Sequence, residues 1–176
     1  MSSVEHPRRL PLLLMVVLVG LNLRPFLTAT GPLAGGIRAD TGMTLQTMSL
    51  LTLVPMALMG VFAFAGPALE QRIGARRAMI VALAVMAAGS AARLFVSSAG
   101  ELVATAALIG AGVAIVQAVF PGILKRHFAD QLAVIMGLYS ATLMGGGAVG
   151  ARLSPVIAAL AGGWRAGLGW LVAPAA

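Results

Sequence analysis

Cysteine is absent from the 176-residue chain, which removes disulfides, thiol catalysis and cysteine-ligated metals, and leaves the redox compartment unread. Charge is scarce too. Only 10% of residues are Asp, Glu, Lys or Arg, against about 25% in an ordinary soluble domain, and no solvated surface can be built from so few. Acid is scarcest, with five Asp and Glu against twelve Lys and Arg. Glu5, Asp40, Glu70, Glu101 and Asp130 all stand at the ends of apolar runs or between them, so this stretch lacks the buried carboxylate relay of a proton-coupled exporter. Catalytic signatures are missing as well: there is no phosphate-binding G-x-x-x-x-G-K-[ST], no His pair at metal spacing and no G-x-S-x-G elbow. An intramembrane enzyme needs a buried nucleophile with a base, or a metal cluster, and the sequence offers neither. His6 and His127 flank basic stretches and read as solvated.

What remains is 60% hydrophobic, with a mean hydropathy of +0.99. A hydrocarbon core of ~30 Å needs about 20 apolar residues per helical crossing. Five runs meet that length, residues 10–35, 44–69, 78–96, 102–124 and 132–160. A sixth, 164–176, would rise only about 20 Å as a helix and reads as truncated. The expected fold is therefore an all-α membrane protein, one bundle over residues 1–176. The first run is too long for a signal-peptide core of roughly 7–15 residues, and other spans follow it.

The connections orient the chain. Arg8, Arg9, Arg72, Arg76, Arg77, Lys125 and Arg126 all fall on one side of the spans. Arg38 beside Asp40, Glu101 and Arg165 fall on the other. Since cytoplasmic loops carry the excess of Lys and Arg, the amino terminus is expected in the cytoplasm.

Arg24 lies about 21 Å along the first run, past the midplane, where a charge costs about 3 kcal/mol on the insertion scale. Two readings stand: it snorkels or caps carbonyls freed by Pro25, or it faces a central cavity and attracts an anion or polar solute. Pro25 unwinds the backbone beside Asn22 and Arg24, with Thr28 and Thr30 able to satisfy the exposed carbonyls. Gln117 and Tyr139 are candidates for a polar lining or for interhelical hydrogen bonds. Arg93 and Arg152, near the outer ends of their runs, are expected to snorkel. Glycines 31, 35, 110, 112, 145, 146, 147 and 150 are expected at close helix contacts.

The stretch Arg72-Ile-Gly74-Ala-Arg76-Arg77 resembles the basic loop between the second and third helices of the major facilitator superfamily. Gln71 stands where an Asp is usual, with Glu70 one place off. Asn22-Leu-Arg24-Pro25, Gly31-Pro32-Leu33, Ile37-Arg38-Ala-Asp40, Pro121-Gly-Ile-Leu-Lys125-Arg126, Gly137-Leu-Tyr139 and Gly162-Gly163-Trp164-Arg165 together resemble its cyanate and nitroimidazole transporter branch. Gln117 replaces an expected Asn.

The resemblance implies the N-terminal six-helix half of a twelve-helix carrier in a bacterial inner membrane, moving a small anion or polar solute such as cyanate by alternating access. Arg24, Asn22, Gln117 and Tyr139 would hold the substrate, and Arg72, Gly74, Arg76 and Arg77 would form the conformational loop. No cofactor or nucleic acid is implied. The partners are a solute, the bilayer and a C-terminal half. A non-transporting membrane subunit or a relic of a broken gene is the alternative reading, with a drug or nitroimidazole exporter behind it.

Overall fold

The computed structural model describes residues 9–170. Glu5, His6, Arg8 and the stretch 171–176, to which expectations were attached above, lie outside the described residues. Eight helices follow in order: α1 Arg9–Leu23, α2 Pro25–Thr28, α3 Thr30–Thr41, α4 Leu45–Ile73, α5 Ala75–Ala92, α6 Ala99–His127, α7 Leu132–Leu160 and α8 Trp164–Gly169. A short 3-10 turn, Ala129–Gln131, joins α6 to α7. Among the described residues, five helical stretches are long and apolar enough to cross a membrane: Leu10–Thr28, Leu45–Gly66, Ala75–Ala92, Ala99–His127 and Ala129–Leu160. The fifth expected run coincides with α7. The second and fourth run longer than expected, and the third ends earlier, at Ala92.

The first expected run is interrupted rather than one continuous helix. Pro25 has no N–H for the carbonyl of Leu21, and α1 stops at Leu23, with Arg24 between the helices. Helix then resumes and continues past residue 35 to Thr41, because Leu33 and Ile37 are buried and Gly42, at φ 68°, supplies the left-handed cap. On the opposite side of the bundle, Gly74 at φ 81° is the whole connection between α4 and α5. A single residue reverses the chain there only because glycine pays no Cβ penalty at that φ.

Helix α6 is the pillar, the most deeply buried of the five spans, with α4 and α5 packed along it. A second group pairs α1 and α2 with α7, and α8 closes against α7. Glycines allow this closeness. A Cβ at Gly110 would lie 2.7 Å from Pro55 of α4, and one at Gly112 would lie 2.7 Å from the Ala82 carbonyl of α5. Gly31 and Gly35 have nothing within 4 Å of such a Cβ, so the expected close contact does not occur there.

The outward faces carry many large apolar side chains. Leu14, Leu18, Leu53, Val61, Phe64, Ile80, Val134 and Leu160 are all exposed, Phe64 to 89%. In water such faces would aggregate; in a bilayer they are the solvent-facing surface. The chain is a multi-pass membrane protein.

Candidate functional site

Where α1 breaks, α7 closes in. The Leu21 carbonyl that Pro25 leaves without a helical donor is covered by Gly146, where a Cβ would collide with Leu21 O and stand 2.7 Å from Leu21 C. One turn on, a Cβ at Gly150 would approach Pro25 Cβ to 2.7 Å. Between them, Thr28 Oγ1 donates to the Gly147 carbonyl across the helix pair at 2.7 Å, and it also reaches the carbonyls of Arg24 and Pro25 at 3.4 and 3.3 Å. Thr30 Oγ1 donates to Leu27 O at 2.7 Å. The two threonines thus satisfy carbonyls around the break, the role anticipated for them, and the unwound backbone is shielded by protein as membrane depth requires.

The break turns Arg24 into a cavity of about 340 Å³ lined by Arg24, Gln117, Tyr139, Ser140, Leu143 and Met144. Gln117 comes from α6 and the other four partners from α7, so side chains more than ninety residues apart in sequence share one space. Tyr139 is 7% exposed and its ring packs against Phe120, with centroids 5.3 Å apart at 55°. Its buried hydroxyl has no hydrogen-bond partner among the described residues. A phenol left so in a protein interior is an unsatisfied donor, and its side chain shares the cavity lining with that of Arg24. Asn22, half-buried two residues before Arg24, does not line this cavity. Ser140, Leu143 and Met144 were not anticipated. Helical spacing from Tyr139 to Leu143 could have found Leu143, while Ser140 and Met144 carry no signal in sequence.

Two ties close the ends of the bundle. At the Gly74 end, Arg126 of α6 meets Glu70 of α4 at 2.6 Å. The residues expected to form a loop there are helical: Arg72 lies in the last turn of α4, and Arg76 and Arg77 in the first turn of α5, all three exposed. His127, beside them, is exposed and its Nδ1 lies 2.9 Å from the Ile123 carbonyl. Glu70, Arg76, Arg126 and His127 also rim a cavity of about 970 Å³, walled by apolar side chains of α1, α5 and α6. At the other end, Asp40 Oδ2 accepts from Trp164 Nε1 at 3.0 Å and from Arg165 at 2.6 Å. These hydrogen bonds, the tryptophan's first, hold the Asp40 carboxyl below its ordinary value. Arg165 Nε also donates to Val96 O at 2.6 Å, which ties α8 to the end of α5.

One expectation fails here. Arg93 does not snorkel: it is 0% exposed. It lies on the stripe Ala82, Met86, Gly89 that α5 turns toward α6, so its position near the helix end did not decide its direction. Arg152 is exposed, as expected.

A family model described as Major Facilitator Superfamily matches residues 12–176. The chain is 40% identical over 164 residues to the cyanate transport protein CynX of Escherichia coli (strain K12), covering 93% of this chain and 43% of that protein. It is 28% identical over 167 residues to the 2-nitroimidazole transporter of the same organism, covering 95% of this chain and 42% of the relative. It is also 28% identical over 151 residues to the uncharacterized transporter YycB of Bacillus subtilis (strain 168), covering 85% and 37%. The chain spans less than half the length of the curated relatives it matches.

Proposed function

The chain belongs to the major facilitator superfamily, and we propose that it forms part of an alternating-access carrier for a small anion or small polar solute such as cyanate. The observation that carries this reading is the shared cavity of Arg24, Gln117 and Tyr139. A cation that costs about 3 kcal/mol at membrane depth is retained where it faces a cavity, and the unpartnered Tyr139 hydroxyl beside it is a second donor for the same solute. Arg24 supplies attraction and a planar fork of donors, Tyr139 a neutral donor, and Gln117 both a donor and an acceptor. Leu143 and Met144 limit the size of what fits.

Several further observations support the reading. The relative at 40% identity is named for cyanate transport, and another is named for 2-nitroimidazole, which makes that solute a second candidate. Binding and translocation need no nucleophile, so the chain acts as a carrier and not as an enzyme. Asn22 acts on the site through the break it precedes. The exposed arginines 72, 76 and 77, hinged on Gly74, act as the conformational latch, and their positive charge supports a cytoplasmic side for this end of the bundle and for the amino terminus, in a bacterial inner membrane. A C-terminal half completes the cavity.

Uptake of labelled cyanate into proteoliposomes, with a C-terminal half restored, tests the assignment. A charged hydrogen bond is worth ~1.5–3 kcal/mol, so Arg24→Ala should reduce uptake at low substrate about 10- to 150-fold. Uptake unchanged by the substitution would remove Arg24 from the site. If the wild type takes up no cyanate but does take up 2-nitroimidazole, the neutral solute replaces the anion.

A further inference from the structure

The Arg93 guanidinium is fully enclosed, and none of Nε, NH1 and NH2 has a hydrogen-bond partner among the described residues. An isolated cation in such a place demands a counter-charge. The other acids leave few choices. Asp40 is held by Trp164 and Arg165, Glu70 by Arg126, and Asp130 lies beyond the opposite end of α6.

The packing of α5 on α6 points to Glu101. As α5 advances from Ala82 and Met86 to Gly89, its neighbours on α6 retreat from Gly112 to Ile109 and Thr105. One further turn on each helix brings Arg93 level with Glu101 and Leu102. A cavity of about 420 Å³ opens at this corner, walled by Ala92, Val96, Glu101 and Thr105 among others. Glu101 is exposed and at present folded back on its own helix. Its Oε2 accepts from Ser97 N at 2.8 Å, Ser98 N at 3.2 Å and Ser97 Oγ at 3.2 Å, completing a capping box with Ser98.

We propose that Arg93 and Glu101 form an ion pair in a second arrangement of this corner, the carboxylate leaving the Ser97 and Ser98 amides and the guanidinium, which does not itself line the cavity, swinging out of its enclosure to meet it. The two arrangements exchange one need for another: capped, the amides are satisfied and Arg93 is unpaired; paired, the charge is neutralised and the helix end is released. The same connection offers Val96 O to Arg165, which also holds Asp40. The exchange therefore loosens or tightens the tie of α8 and α3 to α5 from a distance. It does not depend on what Arg24 binds.

Amide hydrogen exchange at Ser97 and Ser98, on the 176-residue chain in nanodiscs, reads the competition. Glu101→Gln should speed exchange at both amides several-fold. Arg93→Met, which keeps the bulk but removes the competitor, should slow it several-fold, and the double variant should behave like Glu101→Gln. Arg93→Lys, shorter but charged, should slow exchange part-way and serves where Arg93→Met does not fold. Exchange unaltered or faster in the Arg93 variants overturns the pair, as does a Glu101→Gln chain with wild-type exchange.

Discussion

Two glycines on α7 separate helix propensity from helix contact. Gly137 and Gly146 both lie inside the helix Leu132–Leu160, so alanine at either gains roughly the same intrinsic preference, up to about 1 kcal/mol. At Gly137 a Cβ meets nothing within 4 Å. At Gly146 it meets the Leu21 backbone, with Leu21 C at 2.7 Å and Leu21 Cα at 2.8 Å, in addition to the carbonyl oxygen. Backbone cannot turn aside as a side chain can, so α1 and α7 must separate, at about 1–3 kcal/mol for overpacking. Propensity cancels between the two variants, and the difference isolates the contact. For a chain of this size it corresponds to about 2–12 °C between their unfolding midpoints. Intrinsic fluorescence of Trp164 and Trp170 at one fixed scan rate in detergent measures it. Gly137→Ala should unfold at or above wild type and Gly146→Ala well below Gly137→Ala. Equal midpoints would refute the close seat of α7 on the freed Leu21 carbonyl, and with it the account of how Arg24 is aimed.

Other consequences follow from single groups. Tyr139→Phe removes a buried hydroxyl that has no partner, so stability should hold or rise slightly, while apparent affinity for a small anion falls by about 0.5–1.5 kcal/mol, or roughly 2- to 12-fold. A clear loss of stability would show that the hydroxyl is already bonded. The depressed pKa of Asp40 means that the charged carboxylate favours the folded form. Its contribution is complete above the ordinary carboxylate range and lost as pH falls through the lowered value. Trp164 emission should therefore stay flat down to about pH 4 and change only below it, and Asp40→Asn should abolish that transition. Arg126 is 56% exposed in its tie to Glu70, so Arg126→Ala should cost at most about 1 kcal/mol in thermal unfolding, and less in high salt.

Much of this was legible from residue order, because apolar run length reports a membrane crossing directly. The five basic residues between runs, Arg72, Arg76, Arg77, Lys125 and Arg126, and the Arg24-Pro25 break were equally plain, since proline's missing N–H acts locally whatever surrounds it. The extension of α3 to Thr41 was not. Gly36 and Arg38, past the expected end of the run, look like a loop, and burial of Ile37 against the rest of the bundle holds them helical. Arg93 was read wrongly in direction. The spacing Ala82, Met86, Gly89, Arg93 would have marked its face, had helical phase been weighed above distance from the helix end. Asp40 with Arg165 and Trp164, and Gln117 with Tyr139, meet only through tertiary packing, which no local pattern records.

The absence of cysteine makes the central claim, an anion-accepting cavity around Arg24, directly measurable. Ser140→Cys places one thiol on the cavity wall, and Val134→Cys places one on an exposed apolar face of the same helix, outside the cavity. The account predicts that a charged, water-soluble thiol reagent modifies the first and spares the second. It also predicts that thiocyanate slows the first reaction and that Arg24→Gln abolishes this slowing. A thiol at 140 that is as unreactive as the one at 134, or one whose reaction thiocyanate leaves untouched, would contradict it.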